Sequence, residues 1–523
     1  MVKLITQSSA ILIHINNTTL SLWNTLVEND LSNLIKPFIK KLESLSSNVF
    51  LSIESENETS KNFAALLSEK KPVENIPYQH ELNLLHLLML DKSFDNIIYF
   101  DSIYPMLDLK LVENLLNTHE QYGADYSYGE NVPAGILPPI FGKTLFEALR
   151  IQDSDDSKNS DLPELSVPLN SYLEKNLNNF HVEIHYEHPD LRMHRLNFAC
   201  KTKRSIVNST RVLSNISNID TPYQELQPLY SKKPELLFNF PSYIELEVNG
   251  SCEYKCTFCA RQFRENNTDD HITIDGIEKV ISYCSTVDSD ISIGLGGYGE
   301  PLEHPDIERI ITLLLDAPSI KTIILETNAL YLNKISSIIE HKHFNKLQVV
   351  ININGIKEYT NIHGVSKEAE TTVFNNLTNW SEKLKASNLQ PQSNTHLQML
   401  KIIENETEVD ELFALAEKLG FSFLLQKYNS AAGKMPEKRV SDMTPMERSF
   451  CWHLRRDLFI YANGDLAFCK QDIEKQLIRG NIYENSLENL WASQEKDWVL
   501  NYQENYPDNS PCANCDEYFT FNL

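Results

Sequence analysis

The 523-residue sequence has no apolar run long enough to span a membrane, which takes about 20 consecutive apolar residues. It opens Met1-Val-Lys-Leu-Ile-Thr, and the short apolar patch at 10–15 has neither a long hydrophobic region nor a small-residue cleavage site. No signal peptide is therefore expected, and a cytoplasmic location is. Basic residues are in deficit. The 47 Lys and Arg face 72 Asp and Glu, for a formal net charge of -25, which argues against nucleic acid or a membrane surface as partner. Cysteine is absent before Cys200, and seven of the nine cysteines fall in two groups in the second half. Without an export signal, such grouping points to bound metal rather than disulfides. Cys284 repeats with Ile277, Val280 and Ile281 at helical spacing and is expected in a core.

The length predicts about three domains. Residues 1–205 alternate strand-like runs (10–15, 48–53, 96–100) with helix-like ones (31–45, 79–90, 109–121), and 181–186 reads as a further strand. Such alternation predicts an open α/β sheet. Asp101 closes the third strand, at the carboxyl end where such sheets place ligand groups, although a satisfied turn aspartate is the commoner case. The strand, the Asp101-to-Pro105 turn and the helix running into Gly123-Ala-Asp-Tyr126 resemble the nucleotidyltransferase (GT-A-like) fold. A working member of that fold has a Gly- and Arg-containing phosphate loop after its first strand. Here 16–22 reads NNTTLSL, without glycine, arginine or lysine, so backbone and charge are both wrong for phosphate. A degenerate domain used for docking is the expectation. The Asp- and Ser-rich run 152–161 reads as an exposed loop. Residues 206–241, with Asn/Ser clusters and four prolines, read as a linker.

The stretch SCEYKCTFC at 251–259 sets Cys252, Cys256 and Cys259 at C-x3-C-x2-C, just after the strand-like run 243–248. Three thiolates in one loop suit an iron–sulfur cluster with one iron left free of protein ligands. Zinc, the alternative, wants a fourth protein ligand, and no Cys or His follows until His271. The spacing, with Phe258 before the last cysteine, resembles the radical SAM superfamily signature. That resemblance implies a 4Fe–4S cluster whose open iron is chelated by S-adenosyl-L-methionine (SAM), with Phe258 near the adenine.

Residues 242–440 hold six strand-like runs separated by patterned helices such as Ile307, Ile310, Ile311, Leu314 and Leu315. Six βα units are too few for a closed eight-stranded barrel and fit the partial (β/α)6 barrel of that family. The second strand runs into GLGGYGEP at 294–301. It resembles the family's glycine–glutamate motif, which implies that Gly297, Gly299 and Glu300 hold the SAM amino group; a tight strand-to-helix turn is the plain alternative. At the fourth strand's end the family often has ribose-binding Ser and Asp, where this chain has Asn352 and Asn354. Asn328, ending the third strand in Glu326-Thr-Asn328, is a further pocket candidate. At both strand ends a polar cap explains the residues equally well.

Cys451, Cys469, Cys512 and Cys515 form the second group, at C-x17-C-x42-C-x2-C. Four thiolates can ligate a whole 4Fe–4S cluster; a structural zinc site is the alternative. A hairpin is expected around the Asn463-Gly464 turn. The run from Cys451 to Cys469, with Gly480-Asn481 and Trp491, resembles the start of an SPASM domain. The chain lacks that domain's later cysteines, which implies the one-cluster twitch form. Arg455 and Arg456 are expected as a solvated pair. The domain order, with 445–523 as the auxiliary cluster domain, resembles the spiro-SPASM proteins.

The resemblance implies an oxidoreductase. A reductant such as flavodoxin or ferredoxin supplies an electron, SAM is cleaved to methionine and a 5′-deoxyadenosyl radical, and the radical abstracts hydrogen from a peptide or small-molecule carbon. The auxiliary cluster would accept an electron, making the net change an oxidation or cross-link. No acid–base pair is identifiable. Two other classes remain open: a nucleotide- or sugar-handling transferase with accessory iron–sulfur domains, and a non-catalytic iron–sulfur or zinc redox sensor.

Overall fold

In the computed structural model the chain forms two compact units that divide after Leu237. The structure describes residues 8–26, 28–45, 48–152, 168–264, 270–287 and 291–520. Most of the expected exposed loop at 152–161 lies outside the described residues.

The first unit is built on a seven-stranded sheet. Its strands are β1 (Ser9–Ile15), β2 (Val49–Ile53), β3 (Val73–Asn75), β4 (Asn96–Phe100), β5 (Tyr126–Gly129), β6 (Ile140–Gly142) and β7 (Val182–His185). They lie in the order β3-β2-β1-β4-β6-β5-β7. Pairing is parallel except where β6 runs antiparallel to β4 and β5. β4 is buried throughout and β1 nearly so, as expected of strands covered on both faces. The helix Leu109–Tyr122 starts where Asp108 accepts the Lys110 and Leu111 N–H groups and ends at Gly123.

After β1 the chain passes directly into helix Asn17–Asn24, with Asn16 accepting the Thr19 N–H at 2.9 Å. A side-chain cap thus stands where a phosphate loop would open. Asp101 pairs with Lys201 and accepts the Tyr104 hydroxyl at 2.9 Å, so it is a satisfied turn residue. The expected linker turns out to be ordered. Helix Lys203–Leu213, with a Thr202/Ser205 capping box, and helix Leu226–Lys232 both belong to this unit. Ile206, Ser209 and Val212 form a buried stripe that the surrounding polar residues obscure in the sequence.

The second unit carries a nine-stranded sheet in the order β13-β12-β11-β10-β9-β8-β14-β15-β16. β8 (Tyr243–Leu246), β9 (Ile291–Leu295), β10 (Ile320–Thr327), β11 (Leu347–Asn352), β12 (Thr395–Lys401) and β13 (Ser422–Lys427) are consecutive and parallel. This is the six-stranded partial barrel. β14 (Asp457–Ile460) pairs parallel with β8, and β15 (Asp465–Ala467) and β16 (Ile478–Asn481) follow antiparallel. The C-terminal hairpin therefore continues the barrel sheet, pairing an edge that would otherwise be left open.

The two-residue period of a strand sends Tyr243 and Glu245 to the face shared with Gly294 of β9 and with Gly296 just beyond it. Tyr243, Ile324, Val350 and Leu424 pack together as an apolar plug. Glu245, Glu326, Leu400 and Gln426 line the cavity beside it.

Candidate active site

The cysteine loop leaves the carboxyl end of β8 and is gripped from two sides. On one side the Glu300 N–H donates to Ser251 O at 2.8 Å, and the Glu303 carboxylate accepts the Ser251 hydroxyl (3.1 Å) and the Glu253 N–H (2.9 Å). Gly299 is required here. A Cβ on it would stand 1.8 Å from Asn249 O, so this glycine serves close packing of the turn on the loop. On the other side the Lys255 and Thr257 N–H groups donate to His363 O (3.2 Å) and Ile362 O (2.9 Å).

These anchors hold Cys252, Cys256 and Cys259 in one electrostatically coupled group. Burial and the Glu300 carboxylate push the Cys252 thiol up to about 12, and burial raises Cys256 and Cys259 as well. Such thiols ionise only against a compensating positive charge, which cluster iron supplies.

The other site candidates from the sequence gather around this loop. Glu300 is buried. Its Oε1 accepts the Leu302 N–H (3.0 Å) and the Thr327 hydroxyl (2.6 Å), and its Oε2 accepts the Asn328 N–H (2.9 Å). Burial raises its pKa to about 7. Gly297 has φ +89° and lies against Glu247. Asn328 Nδ2 is a buried donor without a partner. Phe258, Tyr298 and Leu400 all pack against one buried cluster that includes Ile362, Ile402 and Tyr428, an apolar wall suited to a base.

The two ribose candidates differ. Asn352 Oδ1 accepts from Gln398 Nε2 at 2.6 Å within the sheet's inner face, whereas Asn354 Oδ1 is held by the Leu400 N–H at 2.6 Å. Asn354 thus acts as a strand-end cap. A three-thiol donor set beside an unpartnered buried amide fits a SAM-chelated cluster.

Cys451, Cys469, Cys512 and Cys515 likewise form one coupled group of thiols, each raised mainly by burial. Asn501 ties two of them, accepting the Cys451 N–H at 2.7 Å and placing Nδ2 3.6 Å from Cys512 Sγ. Among the described residues no three Cys, His or carboxylate groups converge on a single-ion site. The expected solvated arginine pair is instead packed inward. Arg455 lies over Trp452 and Trp498, and Arg456 pairs with Asp457 and stacks on Tyr243.

Residues 246–416 match the radical SAM superfamily, and residues 451–516 match the SPASM iron–sulfur cluster-binding domain. The chain is a radical SAM enzyme with an SPASM domain. It is 22% identical over 364 residues to an uncharacterized protein of Treponema pallidum, spanning 67% of this chain and 97% of that one. Among solved structures, Streptococcus suis SuiB bound to its precursor peptide SuiA is 14% identical, with TM-score 0.40 over 72% of this chain and 82% of SuiB. A cytidylyltransferase from Leptospira borgpetersenii is 18% identical, with TM-score 0.36 over 44% of this chain and 97% of the other.

This radical SAM enzyme uses a 4Fe–4S cluster with SAM, and its SPASM domain adds auxiliary iron–sulfur binding. Several residues at the site had no signal in the sequence. Glu245 pairs with Lys470 at 2.6 Å, and Lys470 follows the cysteine Cys469 directly. Arg264 and Glu247 form a buried 2.7 Å pair beneath Tyr298 and Tyr461. His363 contacts Cys256. Adjacency to Cys469 was the one available pointer, and only for Lys470.

Proposed function

We propose that this enzyme oxidises or cross-links an unactivated carbon of a peptide, with a small molecule as the alternative substrate. In this reading Cys252, Cys256 and Cys259 hold the SAM-binding cluster. Gly297, Gly299, Glu300 and Asn328 line the SAM amino-acid site, Phe258 the adenine and Asn352 the ribose, and Cys451, Cys469, Cys512 and Cys515 hold an auxiliary 4Fe–4S cluster. When bound, these groups supply a 5′-deoxyadenosyl radical and an acceptor for the substrate's electron.

One observation carries the reading. A cavity of about 290 Å³ is lined both by the barrel carboxylates Glu245 and Glu326 and by all four cysteines of the second group. Part of this space is the auxiliary cluster's own, and a substrate held against Glu245 and Glu326 would adjoin it. Glu245 is buried and balanced by Lys470. The Glu326 side chain has no hydrogen bond or ion pair among the described residues, and Gln398 Oε1 is a buried acceptor without a partner. An inner face rich in acceptors suits the N–H donors of a peptide or amine. The barrel holds the substrate and excludes water, while the N-terminal unit serves docking.

No described helix is long and apolar enough to cross a membrane. We place the enzyme in the cytoplasm, with flavodoxin or ferredoxin as reductant. The test uses anaerobically reconstituted full-length protein with dithionite and SAM. 5′-Deoxyadenosine should form, and it should vanish in C252A, C256A and C259A. A peptide substrate should emerge lighter by two hydrogens. Full iron loading without SAM cleavage would sink the reading, and a product lighter only in a small molecule would move the substrate class.

A further inference from the structure

His363 ends the short helix Tyr359–His363, and its ring is fully enclosed. Three aromatic rings cage it: Tyr359 at 4.4 Å, and Tyr254 and Phe258 each at 5.7 Å between ring centroids. Tyr254 and Tyr359 are joined through their hydroxyls at 3.1 Å. The next residue, Gly364, has φ +61°, and a Cβ there would stand 2.5 Å from Lys255 O. Only glycine lets the helix end lie this close to the cysteine loop.

The hydrogen bonds fix the imidazole's tautomer. Its Nε2 accepts the backbone N–H of Asn354 at 3.1 Å. A ring nitrogen that accepts carries no proton, so the ring is neutral and its proton sits on Nδ1. Nδ1 lies 3.4 Å from Cys256 Sγ. The N–H therefore points at sulfur, and cage, helix end and strand-end amide together leave it no other geometry.

We propose that His363 is a positioning residue that tunes the SAM-binding cluster by donating its Nδ1–H to the Cys256 thiolate. The inference rests on Cys256 being a cluster ligand. A hydrogen bond to a ligating sulfur stabilises the extra negative charge of the reduced cluster and raises its potential. It acts on one corner of the cluster, so it also makes the three protein-held irons inequivalent.

The experiment is an EPR-monitored redox titration of the reconstituted full-length protein, following the signal that changes on adding SAM. H363F removes the donor and keeps a ring in the cage. Its reduced-to-oxidised ratio at a fixed potential should fall about tenfold, equivalent to a shift of about 59 mV for one electron. H363N, whose amide nitrogen takes the place of Nδ1, should recover much of that shift. A wild-type potential in iron-loaded H363F overturns the proposal, and so does an equal shift in both variants. Should H363F load no iron, the wild-type holoprotein decides. With ¹⁵N-labelled histidine, a nitrogen coupling in the SAM-responsive signal supports the bond, and its absence overturns it. C256A separates the two readings: a SAM-responsive signal surviving in C256A refutes the ligand assignment itself, whatever H363F does.

Discussion

The two units have similar sheets and opposite kinds of cleft. In each, parallel strands bring polar residues to their carboxyl ends. In the first unit a cavity of about 550 Å³ is lined by His14, Glu81, Tyr99, Asp101 and Lys201. Those groups mostly partner one another: Asp101 with Lys201 and Tyr104, His14 with Tyr99 at 2.9 Å, and Tyr99 with Glu81 at 3.2 Å. In the second unit the four late cysteines and the Glu326 carboxylate line a cavity, and the Asn328 amide nitrogen is buried without a partner. A polar cleft at strand ends is thus a property of the architecture. Chemistry is indicated by the groups the protein itself leaves unsatisfied, because burying such groups costs stability unless a ligand completes them.

The sharpest way to break this comparison is to remove one open group and one closed one. C512A should lower iron from about eight to about four per chain and abolish substrate product while 5′-deoxyadenosine still forms. D101N should leave both unchanged. Iron analysis, mass spectrometry and nucleoside chromatography on the two variants check this, and a lost cleavage activity in D101N would erase the contrast.

A smaller effect is expected at Glu326. E326A should reduce kcat/KM for substrate about tenfold, the scale of one lost charge-assisted hydrogen bond, with uncoupled SAM cleavage retained. Equal kinetics in variant and wild type would remove Glu326 from substrate recognition.

A separate test concerns stability in the closed region. His119 is buried, its Nδ1 lies 2.7 Å from Ser127 Oγ, and its Nε2 has no partner. Burial lowers its pKa from 6.5 to about 4. The folded state therefore binds fewer protons than the unfolded one, so stability is full above pH 6.5 and declines as pH falls toward 4. The loss is on the order of 3 kcal/mol. Melting temperature against pH should fall less steeply for H119N than for wild type across that window. Parallel curves would assign the acid sensitivity elsewhere. The contrast with His363 is instructive: both rings are buried and their pKa values lowered, but His363 has partners at both nitrogens.

Much of the site was legible because its chemistry is local in sequence. Cys252, Cys256 and Cys259 lie within eight residues, and GLGGYGEP is one turn. Other features depend on partners distant in sequence. The Gly299 backbone also serves the cysteine loop, and Asn354 Oδ1 accepts the Leu400 N–H, the cap alternative the sequence left open. Arg455 and Arg456, polar neighbours in sequence, are drawn inward by aromatic rings supplied by Trp498 and Tyr243. The supposed linker failed for another reason, since its Asn and Ser residues turned out to cap and face helices rather than interrupt them.

By itself the sequence determined the cofactor chemistry and the alternation of strands and helices, because thiolate spacing and residue period are short-range properties. Only the tertiary structure decided that β14 completes the barrel's edge beside β8 and that all four late cysteines open into the same cavity as Glu245 and Glu326. It alone brought His363 to Cys256 across 107 residues of chain. Those contacts depend on how separate elements pack, and no local pattern specifies a partner a hundred residues away.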